Sequence, residues 1–116
     1  MTAAFFVQFI GVPYAGKQFC RELVRRVLAT QGIPMPLVEE PAQATAWRRV
    51  ERPQALDVVV FNRGGRPSHV GICVDGGRFL HVEEGGRSVI DRLGAPLWAA
   101  RIEGFYRFMG TAACKS

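Results

Sequence analysis

Cys20, His69 and His81 are the side chains in this sequence whose types could carry out nucleophilic catalysis together. A cysteine nucleophile needs a base that takes its proton and a group that orients the base, and two neighbouring histidines can fill both roles. The chain contains two histidines, and both lie in short runs of strand-forming residues. Cys20 falls at the start of a predicted helix, where unpaired backbone N–H groups and the helix dipole favour an ionised thiol. On composition alone, the commoner role of such a cysteine is a small apolar residue on the buried stripe of its helix.

Whether the two histidines meet depends on the loop that separates their strands. A three-residue loop at 75–77 places Gly71 opposite His81 and leaves room between the histidine side chains. His69 is then diagonal to His81 on one face, about 7 to 8 Å away at the backbone, while Ile72 faces the core on the other side. A two-residue loop would move His81 to the other face and separate the pair.

Cysteine and histidine side chains could instead bind a metal ion. Cys73 lies four residues along the strand from His69, about 13 Å away, which is too far for one ion. A site built from Cys20, His69 and His81 lacks an evident fourth ligand. The three cysteines, which include Cys114, are widely spaced and form no CxxC pair, so neither a zinc ribbon nor a disulfide framework is expected. We therefore expect free thiols, no metal and no organic cofactor.

The elements that position these residues follow from periodicity. An amphipathic helix begins at Phe19, and Gly32 with Pro34 ends it. Residues 33–55 form a proline-rich connection with a short predicted helix over 42–50. Strand-like runs follow at 56–62, 68–74, 78–83 and 88–93, with glycine-rich turns such as 63–66, a helical turn at 96–100 and a last strand at 105–109. The pattern predicts an α+β fold in which an N-terminal helix carrying Cys20 packs on an antiparallel β-sheet.

Length and composition limit the remaining possibilities. With 116 residues and 48% hydrophobic content, residues 1–116 are expected to form a single domain. No apolar run is long enough to span a bilayer, and the first residues lack the layout of a signal peptide, so we expect synthesis in the cytoplasm. The net charge of +5 is spread over scattered arginines. It favours an anionic partner without identifying one, and nucleic acid, supported by charge alone, is not the favoured partner.

The order of motifs resembles a known family. The segment Ile10-Gly11-Val12-Pro13-Tyr14 precedes the helix cysteine, and the strands carry His69-Val70-Gly71-Ile72 and Phe79-Leu80-His81-Val82. Together they resemble the NlpC/P60-type cysteine peptidases of bacterial cell-wall metabolism, which have a papain-like fold, and especially the short forms encoded in phage tail modules. The resemblance extends over nearly the whole chain.

The resemblance implies roles for individual residues. Cys20 corresponds to the nucleophile, His69 to its base and His81 to the residue that orients the base, while Tyr14 lines the site near the oxyanion. We expect the Cys20 sulfur about 3.5 to 4 Å from a ring nitrogen of His69, with His81 on the other nitrogen. The implied reaction is amide hydrolysis in peptidoglycan stem peptides, commonly between D-glutamate and diaminopimelate. The implied partners are peptidoglycan and phage tail-tip or baseplate proteins, and the implied location is the virion.

Two motifs depart from the family pattern. The nucleophile stretch is Phe19-Cys20-Arg21-Glu22, where the family has Asp-Cys-Ser-Gly or Asp-Cys-Trp-Gly, and Leu56-Asp57 stands where the family has Gly-Asp. The alternative function is therefore a structural tail-tip or baseplate component with a hydrolase fold and little or no activity.

Overall fold

The structure of the chain, a computed structural model, describes residues 2–35 and 46–110. Within these ranges there are three helices: α1 (Ala3–Val7), α2 (Phe19–Ala29) and α3 (Pro96–Ala99). The strands are β1 (Trp47–Val50), β2 (Val58–Arg63), β3 (Arg66–Cys73), β4 (Arg78–His81), β5 (Val89–Arg92) and β6 (Ile102–Phe108). The predicted α+β class is confirmed. Cys114 lies outside the described residues.

The strands form one sheet in the order β1-β6-β2-β3-β4-β5, and each neighbouring pair is antiparallel. The β3–β4 hairpin has the three-residue loop at 75–77, since Ile72 pairs with Leu80 and the Val74 N–H donates to the Arg78 carbonyl at 2.9 Å. The Asp75 carboxylate closes this loop by accepting from the backbone N–H of Arg78 at 2.9 Å. The predicted register, on which the meeting of the histidines depends, is therefore confirmed.

The β2–β3 hairpin turns on two glycines in the left-handed region. Gly64 and Gly65 have φ values of 59° and 78°, and the flanking Arg63 and Arg66 pair directly. Two consecutive positive φ values match the twist of the flanking strands in a two-residue hairpin loop. Leu56 also has a positive φ of 75°, a backbone conformation that glycine adopts more readily than leucine.

Apolar side chains cover both faces of the sheet. Val58, Val60 and Ile72 belong to a cluster with the buried stripe of α2, and the alternating residues Val59 and Phe61 belong to a second cluster. The second cluster also contains Cys73, Phe79, Leu93 and Trp98. Since side chains alternate between the faces of a strand, α2 covers one face and the segment around α3 covers the other. The side of β3 expected to lie away from the core thus has an apolar cover of its own.

The helix predicted over residues 42–50 is wrong where the structure describes it, because Trp47–Val50 forms β1. This strand pairs with β6, and the Trp47 ring contacts the Phe108 ring at 5.6 Å between centroids. Pairing with a strand distant in sequence outweighs the local helical pattern. Residues 42–45 lie outside the described part of the chain. No helix within residues 2–35 and 46–110 is both long enough and apolar enough to cross a membrane.

Candidate active site

Cys20 is the second residue of α2, in the first turn of the helix. The N-cap residue, Gln18, has a φ of 54° and makes no side-chain hydrogen bond to the helix end. The Gln18 side chain therefore does not cap the helix, although the Arg21 N–H donates to the Gln18 carbonyl at 3.0 Å. The helix dipole at this end favours negative charge close to Cys20. Glu22 in the same turn is held by hydrogen bonds from Arg25 and Arg26, which lower the pKa of its carboxyl to about 2.

An open cleft of about 1190 Å³ passes the start of α2 and the start of β3. Cys20, His69 and Tyr14 all line it, so the structure brings the predicted nucleophile, base and tyrosine to one cavity. Cys20 is 8% exposed. The separation of 3.5 to 4 Å between the sulfur and His69 stays a prediction. In the part of the chain that the structure describes, the charged residues that line the cleft are Lys17, Arg21, Arg66 and Glu84.

His69 and His81 are in direct contact. Nε2 of His69 lies 2.8 Å from Nδ1 of His81, a hydrogen-bond distance. Gly71, between His69 and Cys73 on β3, lies opposite this contact, and a Cβ atom there would come within 2.8 Å of the Phe79 ring. The glycine therefore leaves space for the Phe79 ring and for the Cβ of His81, which would lie 3.3 Å from a Cβ at this position.

His81 has a second hydrogen-bond partner that the sequence analysis missed. Its Nε2 lies 2.7 Å from Oδ2 of Asp91 on β5. His81 is completely buried, whereas the Asp91 side chain is 41% exposed. Both ring nitrogens of His81 are thus engaged, one by His69 and one by a carboxylate.

Aromatic rings enclose the histidine pair. The Trp98 ring is stacked on His69 with centroids 5.5 Å apart, and its edge meets His81 at 4.7 Å. The Phe79 ring lies 4.4 Å from His81. Burial lowers the pKa of His69 to about 4, with smaller contributions from His81 and Arg101. His69 is therefore neutral at pH 7, which suits a proton acceptor.

Backbone hydrogen bonds hold the segment before α2 against the loop between β4 and β5. The N–H of Gly11 donates to the Ser88 carbonyl at 2.9 Å, and the N–H of Ser88 donates to Val12 at 2.8 Å. The N–H of Tyr14 donates to the Gly86 carbonyl at 3.0 Å. These bonds fix the backbone of Tyr14 beside the cleft.

Cys73 lies away from the cleft, as a fully buried member of the second apolar cluster. Burial raises the pKa of its thiol well above the usual range, and the nearby carboxylates of Asp57 and Asp75 add to this effect. The described residues contain no group of three or more His, Cys, Asp or Glu side chains arranged to hold a metal ion.

A comparison with known protein families identifies the family of this chain. The profile of the NlpC/P60 family matches residues 12–107, which is most of the chain. The chain belongs to the NlpC/P60 family. Proteins of the NlpC/P60 family are generally cysteine peptidases or amidases. A search of curated proteins found no match.

Solved NlpC/P60 structures share the fold. A lipoprotein-like NlpC/P60 protein of Staphylococcus aureus matches with a TM-score of 0.70 and 24% identity, over 92% of this chain and 40% of that one. An NlpC/P60 protein of Bacillus cereus matches with a TM-score of 0.75 and 20% identity, over 95% and 41%. The NlpC/P60 domain of the peptidoglycan hydrolase SagA matches with a TM-score of 0.66 and 23% identity, over 90% and 94%. The chain spans well under half the length of the first two proteins.

Proposed function

We propose that this NlpC/P60 chain is a cysteine peptidase or amidase that cleaves peptide bonds in the stem peptides of peptidoglycan. The observation that carries the proposal is that Cys20 and His69 line the same cleft, while Nε2 of His69 lies 2.8 Å from Nδ1 of His81. A nucleophile, a base and a group that fixes the base are the parts that cysteine hydrolases require.

In the proposed reaction, Cys20 attacks the scissile carbonyl carbon while His69 takes the thiol proton. The proton then passes to the leaving amine as the C–N bond breaks, which leaves a thioester on Cys20. Water hydrolyses the thioester with His69 again acting as base, and the thiol returns. The first backbone N–H groups of α2 and the hydroxyl of Tyr14 are the proposed stabilisers of the oxyanion.

Charge around the cleft supports a stem-peptide substrate. Among the described residues, Lys17, Arg21 and Arg66 line the cleft together with one acidic residue, Glu84. Stem peptides carry free carboxylates, which basic side chains attract. The SagA domain, which shares the fold, belongs to a peptidoglycan hydrolase.

The test is release of soluble fragments from purified peptidoglycan, followed by mass spectrometry. We expect the wild-type chain to release stem-peptide fragments and Cys20→Ala to release none. Cys73→Ala is the matched control, because it removes the buried thiol and leaves the cleft intact. Fragment release by the Cys20→Ala variant would contradict the proposed mechanism.

Delivery by a phage tail tip is the proposed route to the cell wall, and its support is the resemblance to short tail-module forms. Mass spectrometry of purified virions should detect the chain, and its absence from virions would remove this part of the proposal.

The structural tail-component alternative is favoured by the altered residues around Cys20. It predicts that Cys20 is no more reactive than the other thiols, and that a neighbouring protein fills the cleft in the assembled particle.

A further inference from the structure

We infer that Asp91 is a positioning residue that extends the site into a relay of four side chains, Cys20, His69, His81 and Asp91, and that the positive charge of the activated site rests on His81. The inference rests on the proposed role of Cys20 as nucleophile. It starts from two contacts, 2.8 Å between His69 Nε2 and His81 Nδ1 and 2.7 Å between His81 Nε2 and Asp91 Oδ2.

These contacts determine where the ring protons lie. The Asp91 carboxylate only accepts hydrogen bonds, so Nε2 of His81 carries a hydrogen. In the neutral His81 ring Nδ1 is then an acceptor, and Nε2 of His69 donates to it. Nδ1 of His69 is left with a free lone pair, and this is the nitrogen available to take a proton from Cys20.

The same series of hydrogen bonds can move the positive charge from His69 to His81, away from Cys20. The S–H bond of Cys20 breaks as an N–H bond forms at His69 Nδ1. The N–H bond at His69 Nε2 breaks as one forms at His81 Nδ1. His69 ends neutral and His81 ends as an imidazolium, with both nitrogens donating, to His69 and to Asp91. No proton is gained or lost in the relay.

The surroundings favour the charge on His81 over His69. Burial and the guanidinium of Arg101 disfavour a charged His69, and Trp98 is stacked on its ring. His81 is also buried, but it contacts a carboxylate directly, and charge-assisted hydrogen bonds of this length offset desolvation. Besides Cys20, the charged groups near the pair among the described residues are Asp91 from β5 and Arg101 from the segment after α3.

The first test measures the alkylation rate of Cys20 by iodoacetamide against pH, read by mass spectrometry of the Cys20 peptide. Asp91→Asn replaces the carboxylate with a neutral amide of similar size, which cannot balance the positive charge of the His81 imidazolium. We expect the midpoint of the pH profile to rise by about one unit and the rate at pH 7 to fall about tenfold. Asp91→Glu should restore most of the rate. The control is Glu51→Gln, which removes an exposed carboxylate just after β1, at the opposite edge of the sheet from β5, and should leave the profile unchanged.

A second readout reports the tautomers directly. Nitrogen NMR of the imidazole rings in the wild-type chain at neutral pH should show both histidines protonated at Nε2, and Asp91→Ala should disturb the His81 signals. Protonation of His81 at Nδ1 alone would overturn the relay. So would an Asp91→Asn profile that superimposes on that of the wild type while circular dichroism shows a folded chain.

Fragment release measured on the same samples separates this inference from the proposed function. A wild-type chain that releases no fragments, but whose Cys20 profile still depends on Asp91, would refute peptidoglycan cleavage and support the relay. Normal fragment release with a Cys20 pH profile that does not depend on Asp91 would support peptidoglycan cleavage and refute the relay.

Discussion

Cys20 and Cys73 are both buried, yet their surroundings give them different chemistry. Cys73 is 0% exposed among apolar side chains, and the raised pKa of its thiol keeps it protonated at neutral pH. Cys20 is 8% exposed, borders the cleft and lies in the first turn of α2. The reactive form of a cysteine is the thiolate, so Cys20 should be the reactive member of this pair.

Tyr14→Phe tests the proposed oxyanion contact. The ring packs edge-on against Phe19 at 5.7 Å between centroids, and this packing survives loss of the hydroxyl. We expect kcat for fragment release to fall about 10- to 100-fold, with KM little changed, because loss of one oxyanion donor acts mainly on the transition state. The melting temperature should stay within about 1 °C of the wild-type value. An unchanged kcat would remove the hydroxyl from the mechanism.

The contact between His69 and His81 could be predicted from the sequence, because the short loop at 75–77 leaves few registers and the structure has the expected one. The contact with Asp91 could not. Residues 82–88 link β4 to β5, and a link of that length allows several registers. The acidic residue that follows Val89 and Ile90 on β5 was the available signal, but its partner depends on that register.

The β3–β4 hairpin positions the histidines, and Gly71 is its tightest point. A Cβ atom at Gly71 would lie 2.8 Å from the Phe79 ring, 3.1 Å from the Leu80 carbonyl oxygen and 3.3 Å from the His81 Cβ. Gly71→Ala should therefore lower the free energy of unfolding by about 1–3 kcal/mol, as overpacking does elsewhere. Urea denaturation measures this change. Gly94→Ala is the control, since nothing lies within 4 Å of a Cβ there; equal losses in both variants would contradict the packing account.

A buried ion pair ties β6 to the start of β2. Asp57 is 1% exposed and accepts from Arg107 Nε at 2.9 Å and Nη2 at 2.8 Å. Arg107→Met leaves this buried carboxylate without its charged partner, although the Gln54 N–H still donates to it at 2.8 Å. We expect a loss of about 2–4 kcal/mol in the free energy of unfolding, somewhat less than for fully buried pairs because Arg107 is 30% exposed. Arg25→Met, which breaks an exposed pair with Glu22, should cost under about 1 kcal/mol. Thermal denaturation measures the loss of stability in each variant. Similar losses in Arg107→Met and Arg25→Met would show that burial of Asp57 does not make its ion pair the more important one.

Local sequence pattern could predict α2 and the strands from β2 onward, because apolar periodicity marks the helix and glycine-rich turns separate short strand-forming runs. It could not predict β1, whose partner β6 lies more than fifty residues away in the sequence. The assignment of residues 1–116 to a single domain stays a prediction.

For the whole molecule, the partly buried His69 couples folding to pH. The pKa of His69 is about 4 in the folded chain, against an ordinary value of 6.5. Between these values the unfolded chain binds more protons, so the free energy of unfolding should fall as pH drops from about 6.5 towards 4. The lowered pKa values of Glu22 and Asp75 act in the same direction, but chiefly below about 4.5.

Urea midpoints measured from pH 4.5 to 6.5 therefore isolate the histidine contribution. The wild-type midpoint should decline across this window, and His69→Gln, which cannot take up a proton, should decline less steeply. Equal slopes in the two proteins would assign the pH dependence to other groups.

The central claim is that Cys20 performs the chemistry, and stoichiometric alkylation of the folded wild-type chain at pH 7 tests it most directly. Mass spectrometry follows modification of each cysteine while fragment release from peptidoglycan is measured on the same samples. The account predicts that Cys20 is modified at least about ten times faster than Cys73, and that release declines in proportion to modified Cys20. Undiminished release from a chain whose Cys20 is fully alkylated would contradict it.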